Sequence, residues 1–171
     1  MIRMFDAAYP PQKAPDGYQV AAGYIGGDTP HTWTRAEWDR FSHLRRLPVF
    51  TRSSTAGHSG TADAFAALAQ LYAIGAPRGI AVAWDLEAAV APGYVSEVHA
   101  VMEWAGIYLW LYGQASTVFR NPACNGYWPA DWRGDPYMFD HGDVRATQYA
   151  SGPEWDSSEV KLWDFEYRLW K

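Results

Sequence analysis

The sequence predicts the α/β class, as a compact TIM-like (β/α) barrel of eight strands with few helices after strands five to eight. Three observations carry this. First, the stretch Gly79-Ile80-Ala81-Val82-Ala83-Trp84-Asp85-Leu86-Glu87 reads as a buried strand that ends in two carboxylates. Side chains alternate along a strand, so Asp85 and Glu87 share a face with Ala81 and Ala83, while Ile80, Val82, Trp84 and Leu86 take the other. An apolar outer face, with small residues and then acids inside, suits a parallel barrel whose chemistry sits at the C-terminal strand ends. Second, eight strand candidates can be counted, but helices follow only strands two to four clearly and strand five weakly. Third, the chain has 171 residues, whereas a barrel with all eight helices takes about 250 and at least about 200. An open doubly wound sheet would need helices late in the chain, and the pattern there offers none.

Strand one spans Ile2 to Ala7 and brings Asp6 to its end. The next segment, Tyr9 to Gly17, holds three prolines and a glycine and cannot form an ordinary helix. Gln19 to Ile25 is strand two, closed by Gly26-Gly27. Thr34-Arg35-Ala36-Glu37 is a capping box that starts a helix running to about Arg46, with Trp38, Phe41 and Leu44 at helical spacing. Leu47 to Ser53 is strand three. Thr61 to Ile74 is an amphipathic helix stopped by Gly75 and Pro77.

Strand four is the stretch described first. Pro92 and Gly93 start a helix that runs to Ala105 and ends at Gly106. Ile107 to Tyr112 is strand five, with Tyr108, Trp110 and Tyr112 on one face. Gln114 to Arg120 is a weak helical turn. Asn125 to Trp132, Val144 to Ser151 and Val160 to Tyr167 are strands six, seven and eight, joined by connections too short or too Gly/Pro-broken for full helices. The outer faces of these last strands must be covered by loops or by a partner, a second copy of the chain included. There is no linker, so residues 1–171 form a single domain.

Composition narrows the function. Net charge is −5 with no basic run, which argues against a nucleic-acid partner held by phosphate contacts. Cys124 is the only cysteine, which excludes an internal disulfide and a cysteine-based metal cluster. No segment approaches the roughly 18 apolar residues of a membrane span, and the N-terminus lacks the apolar core of a signal peptide. The expectation is a protein synthesised in the cytoplasm, without membrane partners. Aromatic residues are abundant: 10 Trp, 11 Tyr and 7 Phe. Their rings fill cores and also stack on sugar faces.

Acids stand near the ends of three strands: Asp6 on strand one, Asp85 and Glu87 on strand four, and Asp164 on strand eight. In a closed barrel strands one and eight are neighbours, which would set Asp6 and Asp164 side by side across the mouth from Asp85 and Glu87. Crowded carboxylates in a partly dry pocket resist full ionisation, so one keeps its proton near neutral pH. That supplies the acid that glycoside hydrolysis requires. At roughly 3.3 Å per residue, Asp85 and Glu87 lie about 7 Å apart along the strand.

These residues resemble glycoside hydrolase family 25, the Chalaropsis-type lysozymes that cleave bacterial peptidoglycan. Phe5-Asp6 is similar to the family's first-strand aspartate, and Trp84-Asp85-Leu86-Glu87 to its Asp-x-Glu motif. Trp128-Pro129-Ala130-Asp131-Trp132 resembles its Trp-x-Ala-x-Tyr strand, Gln148-Tyr149-Ala150-Ser151 its Gln-Tyr-Ser strand, and Trp163-Asp164-Phe165-Glu166 its final aspartate strand. Strand three departs, reading Phe50-Thr51-Arg52 where the family usually has a Tyr-His pair. Strand two, Gly23-Tyr24-Ile25-Gly26-Gly27, is closer to the glycoside-hydrolase-like barrels of actinobacteria and their phages.

The resemblance implies a cofactor-independent muramidase acting at the cell wall, as a phage lysin or a tail-associated hydrolase. It implies Glu87 as general acid, with Asp85 orienting the substrate N-acetyl group while that group attacks the anomeric carbon. Asp6 and Asp164 would position water or substrate. The Asp85–Glu87 separation exceeds that of a simple retaining pair and suits substrate assistance. Tyr112, Trp128, Trp132, Gln148 and Tyr149 would line the sugar groove, and Tyr24 and Arg52, at the ends of strands two and three, join them as binding candidates. The alternative is an inactive barrel that keeps the groove as a wall-binding or structural module.

Other constellations carry less. The five histidines are scattered without ligand spacing, so no metal site is expected. The acid-rich loop Asp131 to Asp143 does not match an EF-hand. Ser53-Ser54-Thr55 is no nucleophile elbow, and no phosphate-binding glycine loop follows a strand.

Overall fold

Eight strands close on themselves in chain order: β1 (Ile2–Ala7), β2 (Val20–Gly27), β3 (Arg45–Arg52), β4 (Ala81–Leu86), β5 (Tyr108–Gln114), β6 (Gly126–Ala130), β7 (Ala146–Ala150) and β8 (Asp156–Val160). The fold is seen in a computed structural model, which describes residues 2–171. Helices α1 (Arg35–Arg40), α2 (Gly60–Ile74) and α3 (Tyr94–Ala105) follow β2, β3 and β4. A single turn, α4 (Ala115–Val118), follows β5, and α5 (Leu162–Tyr167) follows β8. The expected distribution of helices along the chain is therefore observed.

The barrel departs from a true (β/α)8 barrel at its seam. β8 runs antiparallel to both β1 and β7. The reason is connection length. Only residues 151–155 join β7 to β8, and a parallel crossover needs a dozen or more. The expected strand eight at Val160 to Tyr167 is thus displaced: Val160 ends β8, and the residues after it form α5. Reversal of β8 carries everything after Val160 to the N-terminal face of the barrel.

That face is plugged by the chain end. Leu169 is buried in the barrel interior. Trp170 pairs with Arg46 at the start of β3, whose guanidinium lies 3.7 Å from the Trp170 ring centroid. The Arg168 carbonyl accepts from the Ala81 N–H at 2.7 Å.

The interior balances large against small. Trp110, Tyr112 and Trp128 fill one side, and Ala22, Ala81, Ala83, Ala130 and Ala146 make room for them. Mixing sizes in this way lets a small barrel close without voids. The outer faces of β3 and β4 pack under the helices, where Trp84 stacks on Phe50 at 4.4 Å. Replacing Trp84, fully buried here, by alanine would cost about 3–5 kcal/mol.

The helix signals read from sequence are in place. The Glu37 N–H donates to Thr34 Oγ1 and the Thr34 N–H to Glu37 Oε2, completing the capping box. α1 ends at Arg40, earlier than its apolar spacing suggests, because Arg45 and Arg46 are drawn into β3 beside Val20 and Ala21. α2 ends at Gly75, whose φ of 78° is the left-handed cap that glycine adopts freely. Loops cover the helix-poor side. Tyr18 packs on Phe5, and Phe139 packs on Phe119 while its N–H donates to Thr147.

Candidate active site

Strand alternation and register place a ring of polar side chains at the C-terminal mouth. Asp6 comes from β1, Tyr24 from β2, Thr51 from β3, Asp85 from β4, Tyr112 from β5, Gln148 from β7 and Asp156 from the start of β8. Thr51 is registered with Asp85, and Asp85 with Tyr112. Asp6 is registered with Asp156 across the antiparallel seam.

Asp6 and Asp85 are each 4% exposed. Burial pushes the Asp6 pKa well above the carboxylate range, and the charges of Asp156 and then Asp85 raise it further. Its Oδ2 atom is buried without a hydrogen-bond partner, as suits a carboxyl that keeps its proton and awaits an acceptor. Burial, followed by the charge of Glu87, raises Asp85 to about 7, against hydrogen bonds from Thr51 and Tyr24 that pull it down. The Tyr24 hydroxyl donates to Asp85 Oδ2 at 3.5 Å.

A relay buttresses the other side. The Tyr112 hydroxyl donates to Gln148 Oε1 at 2.7 Å, and Gln148 Nε2 donates to Asp156 Oδ2 at 2.6 Å. The Gly152 N–H donates to the second Asp156 oxygen at 3.2 Å. Asp156 is thereby fixed as an acceptor while remaining partly open to solvent. Burial and the surrounding acids push the pKa values of Tyr24 and Tyr112 upward, so both hydroxyls stay neutral donors. Glu87 lies one residue beyond β4, exposed at the lip.

The remaining candidates divide. Trp132 is exposed above β6 and shares a hollow of about 390 Å³ with Ser151 and Asp156, which makes it a rim aromatic. Trp128 is fully buried, stacked on Tyr112 at 4.2 Å with its Nε1–H donating to Ser158, so it belongs to the barrel core beneath the mouth. Tyr149 is buried beside Arg3 and also lines the hollow that holds Trp132 and Asp156. Arg52 faces outward, where it donates to Asp63 on α2 and to Asp28. It clamps helix to barrel and does not reach the mouth.

Asp164 requires correction. It sits on α5 at the N-terminal face, in a small cavity with Tyr108, Asn125, Arg145 and Arg168, a barrel's length from Asp6. Asp156 takes the place expected for it. The missed signal was Gly152-Pro153, a turn dipeptide neighbourhood that makes 146–160 a hairpin, with Asp156, Ser158 and Val160 alternating onto the inner face. Among the described residues, no group of three or more His, Cys, Asp or Glu side chains is arranged to hold a metal ion.

No family model matches the chain, and no curated protein matches it. Solved structures do share its fold. An uncharacterized protein of B. stearothermophilus superposes with a TM-score of 0.78 at 17% identity, covering 99% of this chain and 100% of that one. The Tat-secreted protein Rv2525c of Mycobacterium tuberculosis gives 0.72 at 14% identity, covering 99% and 98%. The catalytic domain of the endolysin ply40, from a bacteriophage of Listeria monocytogenes, gives 0.72 at 12% identity, covering 97% and 96%. At such identities the likeness establishes the closed eight-stranded barrel over the whole chain, and the fold alone.

Proposed function

We propose that this barrel is a peptidoglycan-degrading glycoside hydrolase, an N-acetylmuramidase that cleaves β-1,4 bonds with help from the substrate's own N-acetyl group. The observation that carries the proposal is the pairing of two buried carboxyls whose pKa values are raised, Asp6 and Asp85, with two more accessible acids, Asp156 and Glu87, around one barrel mouth. The endolysin domain among its structural neighbours supports cell-wall hydrolysis as the setting. A phage lysin or a tail-associated wall hydrolase, working at the bacterial wall without a cofactor, fits this reading.

In this mechanism Glu87 gives its proton to the leaving glycosidic oxygen as the bond from the anomeric carbon breaks. Asp85 holds the acetamide N–H, with Tyr24 bracing the carboxyl from below, while the acetamide oxygen bonds to the anomeric carbon. Water then opens that ring and returns a proton to Glu87. Asp6 donates its hydrogen to the substrate or to that water, and Asp156, held by Gln148, accepts from it. Trp132 offers a stacking face at the rim.

The second reading is a barrel that binds wall glycan without turnover. It is favoured by Glu87, which is exposed and whose carboxylate no hydrogen bond to another described residue fixes. Digestion of purified actinobacterial peptidoglycan, with reduction and mass spectrometry of the soluble fragments, separates the two. New reducing N-acetylmuramic acid ends establish the muramidase. Reducing N-acetylglucosamine ends keep a hydrolase but move the cleaved bond. Glycan binding without soluble fragments gives the second reading.

A further inference from the structure

Helix α2 carries no charged side chain on its outer face. Its one charged residue, Asp63, turns inward to Arg52. Solvent instead meets Ala62, Ala66, Ala69 and Ala73, with Phe65 and Tyr72 alongside at 52% and 89% exposure and Thr61 and Gln70 as the polar residues among them. A surface helix ordinarily places charged residues there, and a helix that is apolar all round is one that is buried. The neighbouring α3 adds Trp104, 76% exposed. Neither helix contains a lysine or arginine, and the cation beside them, Arg35, lies at the Gly75 end of α2.

The face is complementary to itself. Thr61, Phe65, Ala100, Val101 and Trp104 line a hollow of about 470 Å³ between α2 and α3, with Ser96 and Glu97 at its edge and the Phe65 and Trp104 rings edge to face. Tyr72 projects from the same side of α2, roughly 10 Å further along at 1.5 Å per residue. A twofold axis perpendicular to α2 runs two copies of the helix antiparallel. It brings Tyr72 of the second copy over the hollow of the first, and the reverse contact follows by symmetry.

The alanines, spaced four, three and four residues apart, leave room for the helices to approach at the near end of the usual 8–10 Å. A ring buries roughly 150–250 Å² when covered. Scaled by their exposure, Phe65, Tyr72 and Trp104 have about 330–540 Å² left to cover, and with the alanine seam the face approaches the lower end of the roughly 600–1,000 Å² per partner that a standard interface takes.

We propose that the chain forms a twofold homodimer through an antiparallel α2–α2 contact, with Tyr72 of each copy seated in the α2–α3 hollow of the other. The contact lies on the flank of the barrel and leaves the mouth open. It stands whether or not the barrel is a hydrolase.

Sedimentation equilibrium on the whole chain tests this, with Tyr72→Glu and Ala69→Arg beside the wild type and Trp163→Ser, an exposed aromatic of α5, as control. The wild type and the control should show twice the 19.2 kDa chain mass at micromolar concentration. Tyr72→Glu and Ala69→Arg should each raise the dimer Kd by roughly thirtyfold or more, with unchanged far-UV circular dichroism showing that the subunits remain folded. A wild type that stays monomeric up to its solubility limit would overturn the proposal. So would a dimer that survives both substitutions.

Discussion

Asp156 stands opposite Asp6 across the antiparallel pairing of β8 with β1. This one register relation sets the fourth acid of the site, and it exists because β8 is reversed. It separates two carboxyls that a parallel barrel would have confused. Asp156→Asn is expected to lower turnover by about 10²-fold or more, as for loss of a group that positions reactants. Asp164→Asn, at the other end of the barrel, should leave turnover unchanged. Steady-state rates on soluble wall fragments check both, and equal losses would contradict the assignment.

The buried acids oppose folding at high pH. The unfolded Asp85 carboxyl titrates near 3.9, but in the fold its pKa rises to about 7, and Asp6 is raised as well. Between roughly pH 4 and 7 the folded protein binds more protons than the unfolded chain, so stability falls as pH rises through this window. Asp28, Glu37 and Asp63, whose pKa values are lowered, act the other way, and their contribution is lost as the solution becomes more acid than about pH 4. Asp85→Asn should therefore stabilise the protein at pH 8 by about 1–3 kcal/mol while removing activity. Thermal melts of both proteins from pH 4 to 8 measure this, and a mutant less stable than wild type at pH 8 would contradict it.

Arg52 belongs to the framework. Its side chain is 13% exposed and its partner Asp63 is 9% exposed. Asp63 also accepts from the Tyr94 hydroxyl at 2.7 Å. Arg52→Met removes the guanidinium and leaves that carboxylate with the Tyr94 hydroxyl and with His58 3.8 Å away, which should cost about 3 kcal/mol. The affinity for wall glycan should not change once unfolding is corrected for. Denaturant titration and a glycan pull-down report the two quantities separately.

The Tyr112–Gln148 bond is the buried part of the relay. Tyr112→Phe leaves the Gln148 carbonyl unpartnered inside the barrel and should cost about 1–3 kcal/mol. It should also loosen Asp156 and reduce turnover less than Asp156→Asn does. A loss of turnover larger than that of Asp156→Asn would mean that the Tyr112 hydroxyl itself touches the reacting groups.

Much of this was legible in the residues. The alternation of Ala81, Ala83 and Asp85 against Val82, Trp84 and Leu86 gave the faces of β4 correctly, because period two is a local property of a strand. The capping box and Gly75 marked helix ends for the same reason. What failed was what depends on distant partners. Trp163, Phe165 and Tyr167 alternate like a strand, yet no edge was left for them once residues 156–160 had closed the barrel. Arg52 sits where a groove residue would sit, but one step of alternation turns it outward to α2. Trp128 and Trp132 look alike in sequence, and only closure of the barrel puts one in the core and the other on the rim.

The central claim is that Glu87 at the lip delivers the proton that cleaves the glycan. Because its side chain is exposed, Glu87→Gln removes the acid without disturbing the fold. Turnover and binding of peptidoglycan by the wild type and Glu87→Gln should be measured side by side. The account predicts soluble fragments from the wild type, none from the mutant, and nearly equal binding by both. Equal release of fragments by the two proteins would contradict it.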